Sequence, residues 1–160
     1  MVAKKLLVMK NIVQLIFIAV AMFLLSCSRN LEKRIINTYS NGLPKYVEFY
    51  ETTDTTKNLV KHIRFYQNGE KEEEGEFENN LKHGKWTYWY ENGNVWSRGY
   101  FKNGLRDGET TVYFENGQKQ YSGFYTDSKS DKKWTFWNSD GKRVKEVFFD
   151  KGKILEEKEF

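Results

Sequence analysis

The chain has 160 residues, with 26 lysines and arginines against 22 aspartates and glutamates, one cysteine and one proline. This length fits one domain, or one repeat array behind a leader. Lys4, Lys5 and Lys10 lie in residues 1–26, which contain no acid, so the rest of the chain carries 23 basic against 22 acidic residues. A domain so close to neutrality lacks the net positive charge typical of nucleic-acid binding, and we expect no nucleic-acid partner.

The first 26 residues have the pattern of a secretory signal. A lysine-containing segment ends at Asn11, and a largely apolar run follows from Ile12 to Leu25. This run is shorter than the roughly 20 residues that a membrane-spanning helix needs. The pattern therefore predicts a signal helix over residues 1–26.

The only cysteine lies where this leader ends. The segment Leu24-Leu25-Ser26-Cys27 resembles the lipobox of bacterial lipoproteins. The resemblance implies cleavage before Cys27, a lipid on its side chain and a domain outside the cytoplasm, anchored to a membrane of the bacterial envelope. It leaves open which membrane and which leaflet. A single cysteine also excludes a disulfide within the chain.

The rest of the chain repeats with a period of 24 residues. Glycines recur at this spacing, each preceded by Asn or Asp, and aromatic residues recur in two further columns. Such a period indicates a repeat architecture. The turn residues are Asn68, Gly69, Asn92, Gly93, Asn116, Gly117, Asp140 and Gly141, and the first aromatic column is Phe65, Trp89, Tyr113 and Trp137. A degenerate unit precedes Asn68, and the last unit is also irregular.

Each unit is predicted to be a β-hairpin. Asn92-Gly93 lies between two β-prone runs, which predicts a type I′ turn with positive φ at both residues. Centring the hairpin there places Trp86 opposite Gly99 and Trp89 opposite Trp96. The same register in the preceding unit places His62 opposite Gly75 and Arg64 opposite Glu73. A return into the next strand is expected near Thr110, after a glycine-containing loop.

Repetition of this unit predicts an all-β fold, an elongated single-layer antiparallel meander of about ten strands. The repeat domain is predicted to span residues 38–160, in about five units. Residues 27–37 are predicted to be a tether, in which residues 31–34 are either a helical turn or part of that tether. Whether the terminal strands pair edge to edge with another copy is left open, as is the oligomeric state.

The segment from Gly84 to Gly93, followed by Gly99 to Gly104, resembles the MORN repeat variant of bacterial YwqK-family antitoxins and of many lipoproteins. The resemblance covers about residues 38–160 and is clearest from Gly69 to Gly123. It implies single-layer hairpin repeats that act as scaffolding, membrane-associated or partner-binding modules. It implies no enzymatic activity for the repeats themselves.

No residue pattern indicates catalysis, a cofactor or a metal. His62 and His83 occupy different positions of the repeat, and no third ligand completes a metal set. The acidic run Glu70–Glu78 is interpreted as a solvated strand, with cation binding as a weaker alternative. We therefore expect that the protein is not an enzyme.

The aromatic residues are the best candidates for binding. The column at Phe65, Trp89, Tyr113 and Trp137 is expected to form a core ladder. Trp86 and Trp134 share a column that Thr110 interrupts, and Trp96 has no aromatic counterpart, so these three tryptophans are the candidate binding residues.

Two functions follow from this pattern. The first is a membrane-anchored module that binds an envelope or secreted protein, with neutralisation of a toxin as one variant. The alternative is a cell-envelope glycan-binding protein that stacks sugars on the same three tryptophans.

Overall fold

A computed structural model describes residues 31–53 and 55–160. The predicted signal helix and Cys27 lie outside the described residues. The described chain forms eleven strands: β1 (Leu31–Thr38), β2 (Pro44–Thr52), β3 (Lys57–Phe65), β4 (Lys71–Glu78), β5 (Leu81–Trp89), β6 (Val95–Lys102), β7 (Leu105–Tyr113), β8 (Lys119–Thr126), β9 (Lys129–Trp137), β10 (Arg143–Asp150) and β11 (Lys153–Glu159).

The eleven strands form one sheet in sequence order, and every described pairing is antiparallel. The predicted all-β meander is therefore confirmed, and no helix occurs in residues 31–53 or 55–160. The segment expected to be a tether or helical turn instead contributes β1, because Leu31 to Ile35 pair residue by residue with Glu51 to Val47 of β2.

From β3 onward two kinds of turn alternate along the sheet, and the predicted turn type falls on the wrong one. At the predicted turn, Gly93 donates its N–H to the carbonyl of Tyr90 at 2.9 Å, and Tyr90 donates to Asn94 at 2.8 Å. Gly93 has φ of 85° and Asn92 is not in the positive-φ region, which defines a three-residue loop in which a type I turn precedes a left-handed glycine. The positive φ required by type I′ occurs in the other set, for example 51° at Asn103 and 82° at Gly104.

The predicted register holds in the body of each hairpin and changes beside the turn. Trp86 pairs with Gly99, and in the preceding hairpin His62 pairs with Gly75. Next to the three-residue loop the register shifts by one, so that Trp89 pairs with Val95 and not with Trp96. Trp96 is therefore the extra residue of a β-bulge. The expected return near Thr110 is also wrong, because β7 already begins at Leu105, directly after Asn103-Gly104.

The most buried side chains lie on both faces of this sheet. Residues paired directly across strands share a face, so Trp86, Val112, Trp134 and Val147 lie on one face, here called the tryptophan face. The buried residues Val47 and Ile63 pair with each other on the opposite face.

The tryptophan face is held by rings lying on strand glycines. A Cβ added at Gly75 would be 2.1 Å from the Trp86 ring, and one added at Gly123 would be 2.2 Å from the Trp134 ring. At Gly99 the facing residue is Thr110, and an added Cβ would meet its hydroxyl at 3.4 Å. The two tryptophans thus need a bare backbone beneath them, whereas the threonine between them does not.

This difference predicts the effect of alanine at the three glycines. Gly75→Ala and Gly123→Ala should each lower the free energy of unfolding by about 2–3 kcal/mol or more, because the tryptophan ring must leave its site. Gly99→Ala should change it by less than about 1 kcal/mol. Urea unfolding followed by tryptophan fluorescence would measure all three, and equal losses would contradict this account of the core.

Candidate functional site

Trp96 is the most exposed tryptophan of the described chain, and the bulge explains its position. It follows the three-residue loop between β5 and β6 and has no direct partner on β5, since Tyr88 pairs with Ser97 and Trp89 with Val95. Its side chain remains 46% exposed. A bulge directs a side chain away from the regular alternation of the strand, which leaves this ring accessible at the end of the hairpin.

Two tyrosines of the same hairpin support the Trp96 ring. The Tyr88 ring lies 6.0 Å from it at 75°, and the Tyr90 ring lies 6.4 Å from it at 52°. The Tyr90 hydroxyl donates to the carbonyl of Tyr113 in the next hairpin at 2.8 Å, which fixes the ring against the sheet. These three residues, Trp96, Tyr88 and Tyr90, are called the Trp96 patch.

Trp86 and Trp134, predicted as exposed binding residues, are instead buried. Their exposed fractions are 1% and 5%. The Lys82 ammonium covers Trp86 at 3.7 Å from the ring centroid, and each indole N–H is bonded to a backbone carbonyl, that of Glu76 at 3.1 Å for Trp86. The buried Thr110 lies in the same column. The column of Trp86, Thr110 and Trp134, predicted to be interrupted, is therefore the core of the tryptophan face. Neither tryptophan ring is accessible to a ligand.

The predicted ladder at Phe65, Trp89, Tyr113 and Trp137 is not the core, since all four rings are only partly buried. They lie on the face opposite Trp86. Lys71 lies 5.6 Å from the Trp89 ring and Lys119 lies 5.6 Å from the Trp137 ring. A shallow depression of about 250 Å³ adjoins Trp89. Two of the four rings, Trp89 and Trp137, thus have a lysine beside them.

The turn residues Asn68, Asn92 and Asn116 link neighbouring hairpins. In each, the side-chain oxygen accepts the N–H of the residue two positions later, at 2.9–3.0 Å. The side-chain nitrogen of Asn68 donates to the carbonyl of Glu91, and that of Asn116 donates to the carbonyl of Ser139, both at 2.9 Å. Asn therefore serves here as a bridge between repeats, and Gly69, Gly93 and Gly117 supply the positive φ that follows it. Gly141 also has positive φ.

The fourth predicted turn departs from this arrangement. At Asp140-Gly141, Asn138 provides the side-chain acceptor, receiving the N–H of Asp140 at 3.1 Å and that of Lys142 at 3.0 Å. The ladder of asparagine bridges thus ends with Asn116. The side chains of Asn68, Asn92 and Asn116 are thus occupied in holding neighbouring hairpins together.

The acidic run of β4 is largely paired with neighbouring cations. Glu74 forms ion pairs with Lys61 and Lys71, the latter at 2.6 Å. Glu73 lies 3.0 Å from His62 and 3.4 Å from Arg64. No group of three or more acidic, histidine or cysteine side chains suited to a metal ion occurs among the described residues. Nor do these residues contain a helix long and apolar enough to span a membrane.

Glu73 is the carboxylate whose environment can be tested most directly. The hydrogen bond with His62 lowers the pKa of Glu73 below its usual 4.5, and the Arg64 charge adds to this effect against the opposing influence of burial. Only 14% of the Glu73 side chain is exposed. Its ionised form is therefore part of the packing on the tryptophan face, beside Tyr88, with which Glu73 pairs across strands.

The family model described as MORN repeat variant matches residues 82–103 and residues 106–127. The first match covers most of the hairpin formed by β5 and β6, and the second covers that formed by β7 and β8. Two hairpins of the sheet thus match the MORN repeat variant, and the Trp96 patch lies within the first of these matches. No curated protein matches the chain.

The low pKa of Glu73 predicts a dependence of stability on pH. A carboxyl whose pKa is lowered in the folded state stabilises the fold above its unfolded pKa and loses this contribution as the pH falls through the folded value. Glu73→Gln should therefore lower the free energy of unfolding by roughly 1 kcal/mol at pH 7. The difference from the natural chain should shrink as the pH falls below about 4.5.

Urea unfolding at pH 7, 5 and 3 would measure this difference, with Glu109→Gln, an exposed site on β7, as the control. A loss that stays constant across this range would show that the ionised Glu73 does not contribute as described.

Proposed function

We propose that this MORN-repeat protein is a non-catalytic, lipid-anchored module of the bacterial envelope that binds a protein partner through the Trp96 patch. The observation that carries this proposal is the 46% exposure of Trp96 beside two tyrosines of the same hairpin. MORN repeats commonly act as modules that contact proteins or membranes.

The chemistry of the Trp96 patch suits a protein interface. Tryptophan and tyrosine are enriched among the residues that contribute most to protein binding, because each presents a large apolar area with few rotatable bonds. The Tyr90 ring is already held by its bond to the next hairpin, so little side-chain entropy would be lost on binding. Bonds to the neighbouring hairpins support the strands on both sides of the patch.

A glycan-binding function has less support. It relied on sugar stacking by three exposed tryptophans, and two of these rings are buried beneath their own sheet. The rings around Trp96 are tilted at 52° and 75° to it, so they do not form a flat row along which successive sugars could stack. Trp96 alone could stack one sugar ring, which makes glycan binding the second candidate.

The resemblance to YwqK-family antitoxins suggests one kind of partner, a protein toxin. An exported lipoprotein would meet only a toxin that is secreted or acts in the envelope. This narrower proposal requires the lipid anchor at Cys27, which lies outside the described residues and is supported by the lipobox-like sequence alone.

The Trp96 patch predicts a selective loss of binding. We expect the full-length chain, used as bait in a detergent extract of the native envelope, to retain a specific protein. Trp96→Ala should lose it, with affinity reduced at least tenfold when the purified partner is titrated, because the largest exposed ring is removed.

Tyr100→Ala is the matched control, since Tyr100 is 45% exposed and lies on the opposite face. Equal binding by Trp96→Ala and the natural chain would remove the Trp96 patch from the proposal. Retention of polysaccharide alone, lost with Trp96→Ala, would instead favour the glycan function.

The lipid anchor makes a separate prediction. When the protein is expressed in a bacterium fed a radiolabelled fatty acid, the chain should incorporate the label and fractionate with membranes. Cys27→Ala should abolish labelling, since no other cysteine is present. Label retained in Cys27→Ala would contradict the proposed anchor, and Ser26→Ala serves as the neighbouring control.

A further inference from the structure

The two edge strands of the sheet, β1 and β11, have every residue exposed. Each edge strand presents one row of backbone N–H and carbonyl groups that its single neighbouring strand does not use. Each also exposes large apolar side chains: Leu31, Ile35 and Ile36 on β1, and Ile154 and Leu155 on β11, with exposed fractions of 46–62%. Such edges are ready sites for the addition of another strand.

The side chains of these two strands are complementary when they are aligned antiparallel. With Lys33 opposite Glu157, Glu32 falls opposite Lys158 and Arg34 falls opposite Glu156. All three pairs join opposite charges, and such cross-strand pairs stabilise a sheet.

Beyond the charged stretch, the same alignment brings apolar residues near one another, Ile35 and Ile36 beside Ile154 and Leu155. Ile36 and Leu155 are the residues that the register shifts leave without a direct partner on the inner strand, and both lie outside the charged stretch. Residues 31–35 and 156–159 pair regularly with their inner neighbours, so the charged part of each edge is an unbroken strand.

This pairing cannot form within one chain. Neighbouring strands alternate in direction through eleven strands, so β1 and β11 run in the same direction. An antiparallel β11 beside β1 must therefore come from another molecule, turned over by a half rotation about the line along which the strands are stacked.

The faces of the strands agree with this rotation. Arg34 pairs with Glu48 and points to the tryptophan face, whereas Glu156 pairs with Phe148 and points to the opposite face. Turning one copy over brings these two side chains to the same side. A shift of the alignment by one residue would place Glu32 opposite Glu159 and Lys33 opposite Lys158, two pairs of like charge. It would also put the two side chains of each pair on opposite sides of the joined sheet.

The charged side chains of both strands would keep their partners within the chain and gain partners in the second copy. Arg34 bonds Glu32 at 2.7 Å within the chain, so the added Glu156 and Lys158 would complete an alternating group of four charges on one side. On the other side, Glu157 would meet Lys33 while keeping its pairing with Lys145.

We propose that the protein assembles head to tail, with β11 of one copy adding antiparallel to β1 of the next. The partner of these edges is a second copy of this chain, and the contact continues the sheet across molecules. Because the contact joins two different surfaces, it leaves one β1 and one β11 free at the ends and permits chains of copies.

Charge reversal tests this pairing. The full chain in a nonionic detergent should show an average mass that rises with concentration in sedimentation equilibrium at low salt. The variants Lys33→Glu/Arg34→Glu and Glu156→Lys/Glu157→Lys should each weaken self-association at least tenfold. An equimolar mixture of the two should regain association, because each reversed edge then meets its opposite.

Lys85→Glu/Lys102→Glu, at exposed sites of the central hairpin, is the control and should associate like the natural chain. Circular dichroism would verify that all variants are folded. Higher salt should weaken the natural assembly, since exposed charge pairs are screened.

Three results would overturn the proposal. The natural chain could keep the mass of a single copy at every concentration. Both reversed variants could associate like the natural chain, which would place the contact elsewhere, for example in residues 1–30. Finally, only one of the two variants could lose association, or the mixture could fail to recover it, either of which would show that β1 and β11 do not pair with each other.

Discussion

The described sheet depends on covering its aromatic rings with its own side chains, because residues 31–53 and 55–160 form no second layer of secondary structure. A helix or sheet normally buries its apolar face against another element. Here the Trp86 ring lies on the bare backbone of Gly75, and Trp134 does the same on Gly123. Lys82 closes the first ring from the solvent side at 3.7 Å. Strand glycines beneath the rings and a lysine ammonium above one of them thus stand in for a second layer, which is how so polar a chain keeps two tryptophans buried.

Two kinds of turn, one at each end of the strands, bond neighbouring hairpins to one another. At one end, asparagine side chains such as Asn68 donate to a carbonyl of the next loop. At the other end the bond is between backbone groups, as where the Gly104 N–H donates to the carbonyl of Lys82 at 2.9 Å. Each hairpin is therefore bonded to its neighbour at both ends as well as along its strands. Such nearest-neighbour bonding is what gives a repeat array its stability.

The period of 24 residues made the fold predictable, whereas the environment of each ring was not. Glycine and aromatic columns specified hairpins and the register of Trp86 against Gly99. The turn type was mistaken because Asn-Gly suits two loops, and only the hydrogen bonds of Tyr90 distinguish them. Trp86 was mistaken for a surface ring because Thr110 breaks its column. The decisive contact lies on the other neighbouring strand, at Gly75, which a single-hairpin register does not reveal.

The way in which the sheet covers its own core also determines which groups it exposes. In residues 31–53 and 55–160, a sheet covered by its own side chains leaves its most exposed apolar groups on a projecting ring and on the outer strands. Trp96 projects because a bulge removes it from the alternation that buries Trp86. The outer strands are exposed because an ordered meander has two ends, and an odd number of strands sets both edges in the same direction. The packed interior and the exposed surfaces for which binding is proposed thus arise from one repeated hairpin, with its irregular positions supplying those surfaces.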